Sequence, residues 1–546
     1  MLASRFLTDE AHKKPPGALV RSFGRGFNAL LGAYTRSLDV ALRHRGMVML
    51  VAGLTFVATG YLFVTIPKGF FPQEDIGQIS ISTEASEDTS FQSMVDRQNR
   101  VAAIFLADPN VATVNSFNGG GGAQNSGRLF INLKPRGERL PMTEVVEELR
   151  RKLREVPGIK VFMRPIQNLR LGGRISKAQY QYILQSVQAG ELNEWATKLQ
   201  EVMRADPLFR DVTSDSQLKG LQASLKIDRD RANTLGVSID SIRSALYSAF
   251  GERQVSTIYT NVDSYQVIME VAPQAKQDEG AFNTIYVRSS TGALVPLSSF
   301  TTVERTVGPT AINHAGQLQA VTVSFNLAPG AALGDATAKI EKYRDQIQLP
   351  SSIITSYGGD AAVFKSSQGG QVVLIVAALL VIYVLLGVLY ESYVHPLTIL
   401  AGLPSAAVGA LLMLRFFNVD LTLIATIGIL LLIGIVKKNA ILMIDFALDA
   451  QRTRGMDAPH AIREACVLRF RPIMMTTFAA LMGALPLALG LGAGAELRQP
   501  LGLAVVGGLV FSQAITLYIT PVIYIALDRF SGAGPVTTPE ATSAVH

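Results

Sequence analysis

The sequence predicts an α-helical membrane bundle of six transmembrane helices carrying a large α+β region outside the bilayer. Three observations predict it. Six apolar stretches are each long enough to cross a bilayer, which takes about 20 residues. A block of about 300 residues with soluble composition separates the first stretch from the second, far beyond the usual loop length. The 546 residues are 48% hydrophobic and only 17% charged, with a mean hydropathy of +0.27, against roughly 25% charged in ordinary globular domains.

The chain opens on a basic stretch holding Lys13, Lys14, Arg21, Arg25, Arg36, Arg43 and Arg45. Within it Phe23, Phe27, Leu30, Leu31, Tyr34, Leu38 and Leu42 recur at spacings of three and four, the pattern of an amphipathic helix. Such a helix lies on the membrane surface or packs under the bundle. The first span is Met47–Ile66. Its apolar run is too long, and too far from the start, for a cleavable signal peptide.

Alternating strand and helix patterns follow. Gln78–Thr83 reads as a strand, Ser90–Leu106 as a helix, Val111–Phe117 and Arg128–Leu133 as strands, Thr143–Leu153 as a helix and Lys160–Arg164 as a strand. That order is the split βαβ, or ferredoxin-like, motif. A second unit starts with strand Gln179–Val187, helix Glu191–Ala205 and strand Val212–Ser216. It finishes with strand Leu318–Asn326, helix Leu333–Gln346 and strand Ile353–Tyr357. The stretch between, about residues 220–310, is expected to be an inserted subdomain with a hairpin of Val255–Thr260 and Tyr265–Val271.

The remaining spans are Gln371–Tyr390, Pro396–Phe417, Leu421–Ala447, Pro472–Gly492 and Leu501–Leu527. Arg452, Arg454, Arg463, Arg469 and Arg471 lie between the fourth and fifth. Basic loops mark the cytoplasmic side, so both termini are expected inside and the large region outside. The expected division is 1–45 as a cytoplasmic connector, 46–66 as the first span, 67–370 as the exported region, 371–527 as five spans and 528–546 as a cytoplasmic tail. The net charge of +7 is explained by these loops, with no need for nucleic-acid binding. Cys466 has no disulfide partner in the chain.

Lys437 and Lys438 stand well inside the fourth span, where a charge costs roughly 2.5–3.5 kcal/mol even on the mildest scale. Lys438 lies about 14 Å from the cytoplasmic end at 1.5 Å per residue, too deep for easy snorkelling. It is therefore expected to be buried against a carboxylate, as in ion or proton pathways. Thr476, taken alone, is a threonine bonding to its own preceding turn. Asp445, one or two turns beyond Lys438, is an interfacial carboxylate or a local partner.

Four strings carry a family resemblance: IPKGFFPQEDIG (Ile66–Gly77), GIVKKNAILMIDFAL (Gly434–Leu448), LRFRPIMMTT (Leu468–Thr477) and GAELRQPLG (Gly494–Gly502). Together they resemble the resistance–nodulation–division (RND) efflux permeases, in the multidrug, hydrophobe/amphiphile subclass of the MdtB/MdtC kind. The chain resembles the second half only of a two-half permease. Met1–Leu7 is similar to the end of a sixth span in the preceding half.

The resemblance implies proton-driven export through a proton relay of Lys438, Thr476 and Arg469, with Lys437 and Asp445 as candidate neighbours. Its proton-carrying aspartate pair belongs to the other half, and this chain contains no Asp-Asp dipeptide. An N-terminal-half permease polypeptide is thus an expected partner. The resemblance also implies a homo- or hetero-trimer, a periplasmic adaptor protein, an outer-membrane channel and amphiphilic small-molecule substrates, in the bacterial inner membrane with its lipid. The energy source would be the proton gradient, with no cofactor.

The glycine run Phe117, Asn118, Gly119, Gly120, Gly121 and Gly122 occupies the position of a switch loop between drug pockets, but keeps one aromatic. A flexible hairpin is the plain alternative. Phe130, Ile131, Phe162 and Met163 are candidates for the pocket or the core, since strand alternation divides them between two faces. Met94, Met142 and Met163 are scattered and the six histidines isolated, so neither a metal site nor a catalytic triad is expected. The competing functions are a non-transporting scaffold or decayed fragment, and a metal- or lipid-exporting relative.

Overall fold

The computed structural model describes residues 18–119, 124–169, 176–272, 279–492, 494–528 and 530. Gly120, Gly121 and Gly122, the opening Met1–Leu7 and the tail beyond 530 lie outside the described residues.

Six helices are long and apolar enough to cross a membrane: Arg45–Thr65, Gly359–Tyr390, His395–Phe416, Leu423–Arg454, Ala458–Ala488 and Ala495–Asp528. The third is interrupted between Leu400 and Leu403. The fifth starts well before the apolar run that identified it, because Asp457 and Pro459 open a charged first section that hydropathy does not register. The sixth is the most enclosed, with 67% of its apolar window covered by the rest of the chain, against 11% for the first and 6% for the second. The first and second helices therefore turn most of their apolar surface outward.

The third and sixth helices cross at two glycines. A Cβ added at Gly507 would stand 2.4 Å from Met413 Cβ and 2.6 Å from the Gly409 carbonyl oxygen. Small residues at such crossings let two backbones come within van der Waals reach, and packing of this kind holds membrane helices together.

The amphipathic helix, Ala18–Arg43, packs its apolar face on the bundle. Tyr34 and Leu38 are buried, the Tyr34 ring stacks on Phe470 at 4.6 Å, and its hydroxyl donates to the Leu517 carbonyl at 3.1 Å. Leu30 remains 45% exposed.

Between the first and second apolar helices lie two main sheets. In the first, strands Gln78–Ala85, Val111–Asn118, Ser126–Leu133 and Ile159–Pro165 are all antiparallel, in the spatial order second-third-first-fourth. Helices Phe91–Leu106 and Met142–Leu153 cover one face, and Ile79, Ile81, Leu129, Ile131 and Met163 fill the core beneath them. The second sheet repeats that order with Tyr180–Ser186, Phe209–Ser214, Leu318–Leu327 and Ile354–Gly358, plus the short strand His314–Ala315 at one side. Helices Ala189–Ala205 and Leu333–Gln346 pack on its core.

The second sheet is interrupted between its second and third strands. The chain leaves along Gly220–Ile227 and returns along Thr301–Gly308, which pair antiparallel. Between them sits a lobe with its own core around Val237, Ile242, Val287 and Phe300, and a protruding hairpin, Arg253–Tyr259 with Ser264–Met269.

Candidate functional site

The fourth helix starts at a local cap, with the Thr422 hydroxyl accepting from the Ala425 amide at 3.1 Å. Lys438 stands about midway along it. Successive residues on a helix point about 100° apart, so Lys438 and Asn439 cannot share a face. Asn439 is buried, Lys437 half-buried and Lys438 exposed. The expected burial of Lys438 is thus not met within this chain. The helix turns that side chain onto a bundle face that no other described element covers, and neither lysine has an ion-pair partner among the described residues.

The fifth helix repeats the arrangement. Thr476 is half-buried and its hydroxyl donates to the Ile473 carbonyl at 3.1 Å, the ordinary bond of a threonine to its preceding turn. Its neighbour Thr477 is buried. Asn439 Nδ2 donates to Thr477 Oγ1 and to Gln513 Oε1, both at 3.2 Å, and Thr477 Oγ1 donates to Gln513 Oε1 at 2.8 Å. This triad ties the fourth, fifth and sixth helices together. Sequence reading missed it, although uncharged polar residues inside apolar spans were the available signal. Gln513 and Thr477 also face a cavity of about 540 Å³ shared with Tyr34, Ser37, Met474 and Tyr518.

Arg469 is placed differently from Lys438. Its guanidinium lies over the Phe446 ring at 5.1 Å, and its Nε is buried without a hydrogen-bond partner among the described residues. Arg454 approaches the same ring at 5.7 Å and pairs with Glu464 at 2.7 Å. Asp445 makes no ion pair with Lys438 among the described residues; instead the Tyr390 hydroxyl, from the second apolar helix, donates to its Oδ1. Beside that pair the buried His395 stacks on Tyr524 at 5.9 Å, and the Tyr524 hydroxyl donates to Gln451 at 2.7 Å. Nothing in the sequence singled out His395.

In the first sheet, alternation divides the candidate pocket residues. Ile131 and Met163 point into the helix-side core, so Met163, 2% exposed, does not line an open pocket. Phe130, Phe117 and Phe162 belong to the opposite face. Phe117 and Phe130 meet edge to face at 6.2 Å and are 57% and 38% exposed, whereas Phe162 is buried. Asn118 closes the strand with its Oδ1 buried and unpartnered among the described residues. Gly119 then turns with φ +75°, a conformation glycine adopts without strain, and its amide donates to Ser126 at 3.0 Å.

Two carboxylates outside the apolar helices have strongly displaced pKa values. Asp420, in the turn between the third and fourth apolar helices, packs on Gly69. Burial pushes its carboxyl up to about 6, with the Asp335 carboxylate adding to the shift. Asp206, in the second sheet's unit, is pushed up by burial, and hydrogen bonds from Lys339, Tyr343 and the Leu208 amide more than reverse this, holding it at about 2.

Multidrug resistance protein MdtC of Escherichia coli (strain SMS-3-5 / SECEC) is 47% identical over 511 residues, covering 93% of this chain and 50% of that protein. MdtC of Yersinia pestis bv. Antiqua (strain Angola) is 46% identical over 520 residues, covering 95% and 51%. The chain thus spans about half the length of the curated relatives it matches. A crystal structure of a heavy metal efflux pump shares the fold, with a TM-score of 0.82 at 22% identity, over 92% of this chain and 53% of that one. Residues 1–528 match the AcrB/AcrD/AcrF family. With that match and the MdtC identity, the chain belongs to the AcrB/AcrD/AcrF family of RND permeases.

Proposed function

We propose that this chain acts as the C-terminal half of a proton-driven RND multidrug efflux permease. The observation carrying this reading is Lys438. An ammonium midway along an apolar helix, on an open bundle face, calls for a carboxylate that none of the described residues supplies. In the proposed relay that carboxylate is one of an aspartate pair in the N-terminal half. Protonating it would release Lys438, and re-ionising it would recapture the lysine, which makes a two-position switch. Thr476 and Arg469 would line the rest of the path. The buried Arg469 Nε, without a partner among the described residues, supports a role in holding a fixed positive charge beside the path.

The substrates are proposed to be amphiphilic small molecules, passed through a trimer with a periplasmic adaptor and an outer-membrane channel. The strand-rich region would be periplasmic and both termini cytoplasmic, in agreement with the basic loops. The repeated strand order of the two sheets, second-third-first-fourth with two helices on one face, favours reading both as ferredoxin-like. The lobe between Gly220–Ile227 and Thr301–Gly308 would then be the docking subdomain.

Drug accumulation in an efflux-deficient host tests the reading, with this chain expressed alone and together with an N-terminal half. Export only with both halves supports a relay completed between them. Inserted protein that never exports favours a scaffold, a reading supported by the single aromatic Phe117 in the glycine-rich loop.

A further inference from the structure

Two segments far apart in sequence, 66–77 and 494–502, are brought together in space. Asp75, between the first apolar helix and the first sheet, is gripped by Arg139, whose Nη2 and Nη1 donate to its two carboxylate oxygens at 2.5 and 2.9 Å. The Gly77 amide donates to the same carboxylate at 3.1 Å. Arg136, in the turn after the third strand of that sheet, donates through Nη2 to the Asp75 carbonyl at 2.7 Å. The same Nη2 donates to Glu496 Oε1 at 2.5 Å. Glu496 lies in the first turn of the sixth apolar helix, where a carboxylate also suits the helix dipole.

Glu74 adds a second tie at this junction. Its amide donates to Gln167 Oε1 at 2.7 Å, and its buried carboxylate accepts from the Asn168 amide at 3.1 Å. The exit from the first helix is thereby fastened to both the third-strand turn and the end of the fourth strand. Arg136 reaches from this knot to the sixth helix by an ion pair.

We propose that the Arg136–Glu496 pair is a strut that makes the first sheet follow the start of the sixth helix, which places both as positioning residues in the export cycle. The transport part of this inference rests on the function proposed above. An isolated surface pair of this exposure, 39% and 30%, would count for little. Here the same Arg136 Nη2 also donates to a backbone carbonyl, and Nε lies 3.9 Å from the Asp75 carboxylate, so the guanidinium is oriented independently of Glu496. The other Glu496 oxygen is buried with no partner among the described residues, so reversing Arg136 alone leaves that carboxylate without a countercharge.

The test is a charge-reversal cycle in the full chain. Arg136→Glu and Glu496→Arg are made singly and together, with spin labels at Arg151→Cys on the first sheet's second helix and Val510→Cys on the sixth apolar helix. Cys466 is buried and stays unlabelled. Each single reversal is expected to broaden the label–label distance distribution, and the double reversal to narrow it again. Distances unchanged in both single variants overturn the strut.

Export with an N-terminal half is measured in parallel. Each single reversal is expected to lower it about fivefold at equal membrane level, with the double variant returning to within about twofold of the original. If the original pair of halves does not export, the transport reading fails and the distances alone decide the strut. Broadened distances with full export by both single variants would overturn the positioning role.

Discussion

Asn439 donates to Thr477 at 3.2 Å, and each of the two immediately follows a residue of the proposed relay. Fixing the inward-facing neighbour fixes the rotation of each helix about its own axis. The triad with Gln513 thereby sets which way Lys438 and Thr476 point without touching either. Uncharged side chains do this well, because hydrogen bonds between them hold through any change in the protonation of the relay.

Under the proposed function, Lys438→Ala should reduce the export measured with an N-terminal half to background while leaving membrane insertion and assembly intact. Drug accumulation in an efflux-deficient host measures it. Ordinary export by this variant would remove Lys438 from the relay.

Gln513→Leu takes away the acceptor shared by Asn439 and Thr477 and leaves buried donors short of a partner. A loss of about 1–2 kcal/mol is expected, at the upper end for interhelical hydrogen bonds in membranes. Thr477→Val should lose less, since Asn439 still reaches Gln513. Denaturant unfolding of the purified protein gives both values, and equal stability of all three proteins would contradict the triad's role.

Asp420 makes a pH prediction whose sign is fixed. Its folded pKa of about 6 lies above the ordinary carboxylate value, so folding favours the protonated form. Stability from this group is present below about pH 4 and is lost as pH rises through 6. Asp420→Asn should therefore match the original protein near pH 4 and melt higher above pH 7. A melting difference that is the same at both pH values would refute the shift.

Gly507→Ala and Gly483→Ala separate crossing geometry from helix propensity. At Gly507 the new methyl meets a backbone carbonyl and Met413, neither free to move, and overpacking of about 1–3 kcal/mol or more is expected. At Gly483 nothing lies within 4 Å, and alanine should gain up to about 1 kcal/mol from helix propensity. Thermal melting of the two variants should move in opposite directions.

Much of the architecture was legible because its signals are local. Apolar length marked the spans, and strand alternation marked both halves of the second sheet across an insertion of about 90 residues. The start of the fifth helix was not legible, because its first turns carry His460, Arg463 and Glu464 and read as a loop to hydropathy. At the site, Lys438 stood out as a charge in an apolar run, but its exposure depends on which neighbours surround the helix. The partners of Asp445 and Arg136, Tyr390 and Glu496, lie 55 and 360 residues away in the chain. Only the folded arrangement brings such pairs together.

The lobe inserted into the second sheet leaves and returns on strands Gly220–Ile227 and Thr301–Gly308, paired from Gly220↔Gly308 to Ile227↔Thr301. Both chain crossings therefore lie side by side at one narrow neck. Evolution can lengthen, trim or exchange what hangs beyond such a neck without rewiring the sheet, because a replacement need only match two adjacent strand ends. A force applied at the tip of the lobe would likewise reach the sheet through this one two-stranded stalk, whose bending stiffness rather than its sequence sets how faithfully the motion is transmitted.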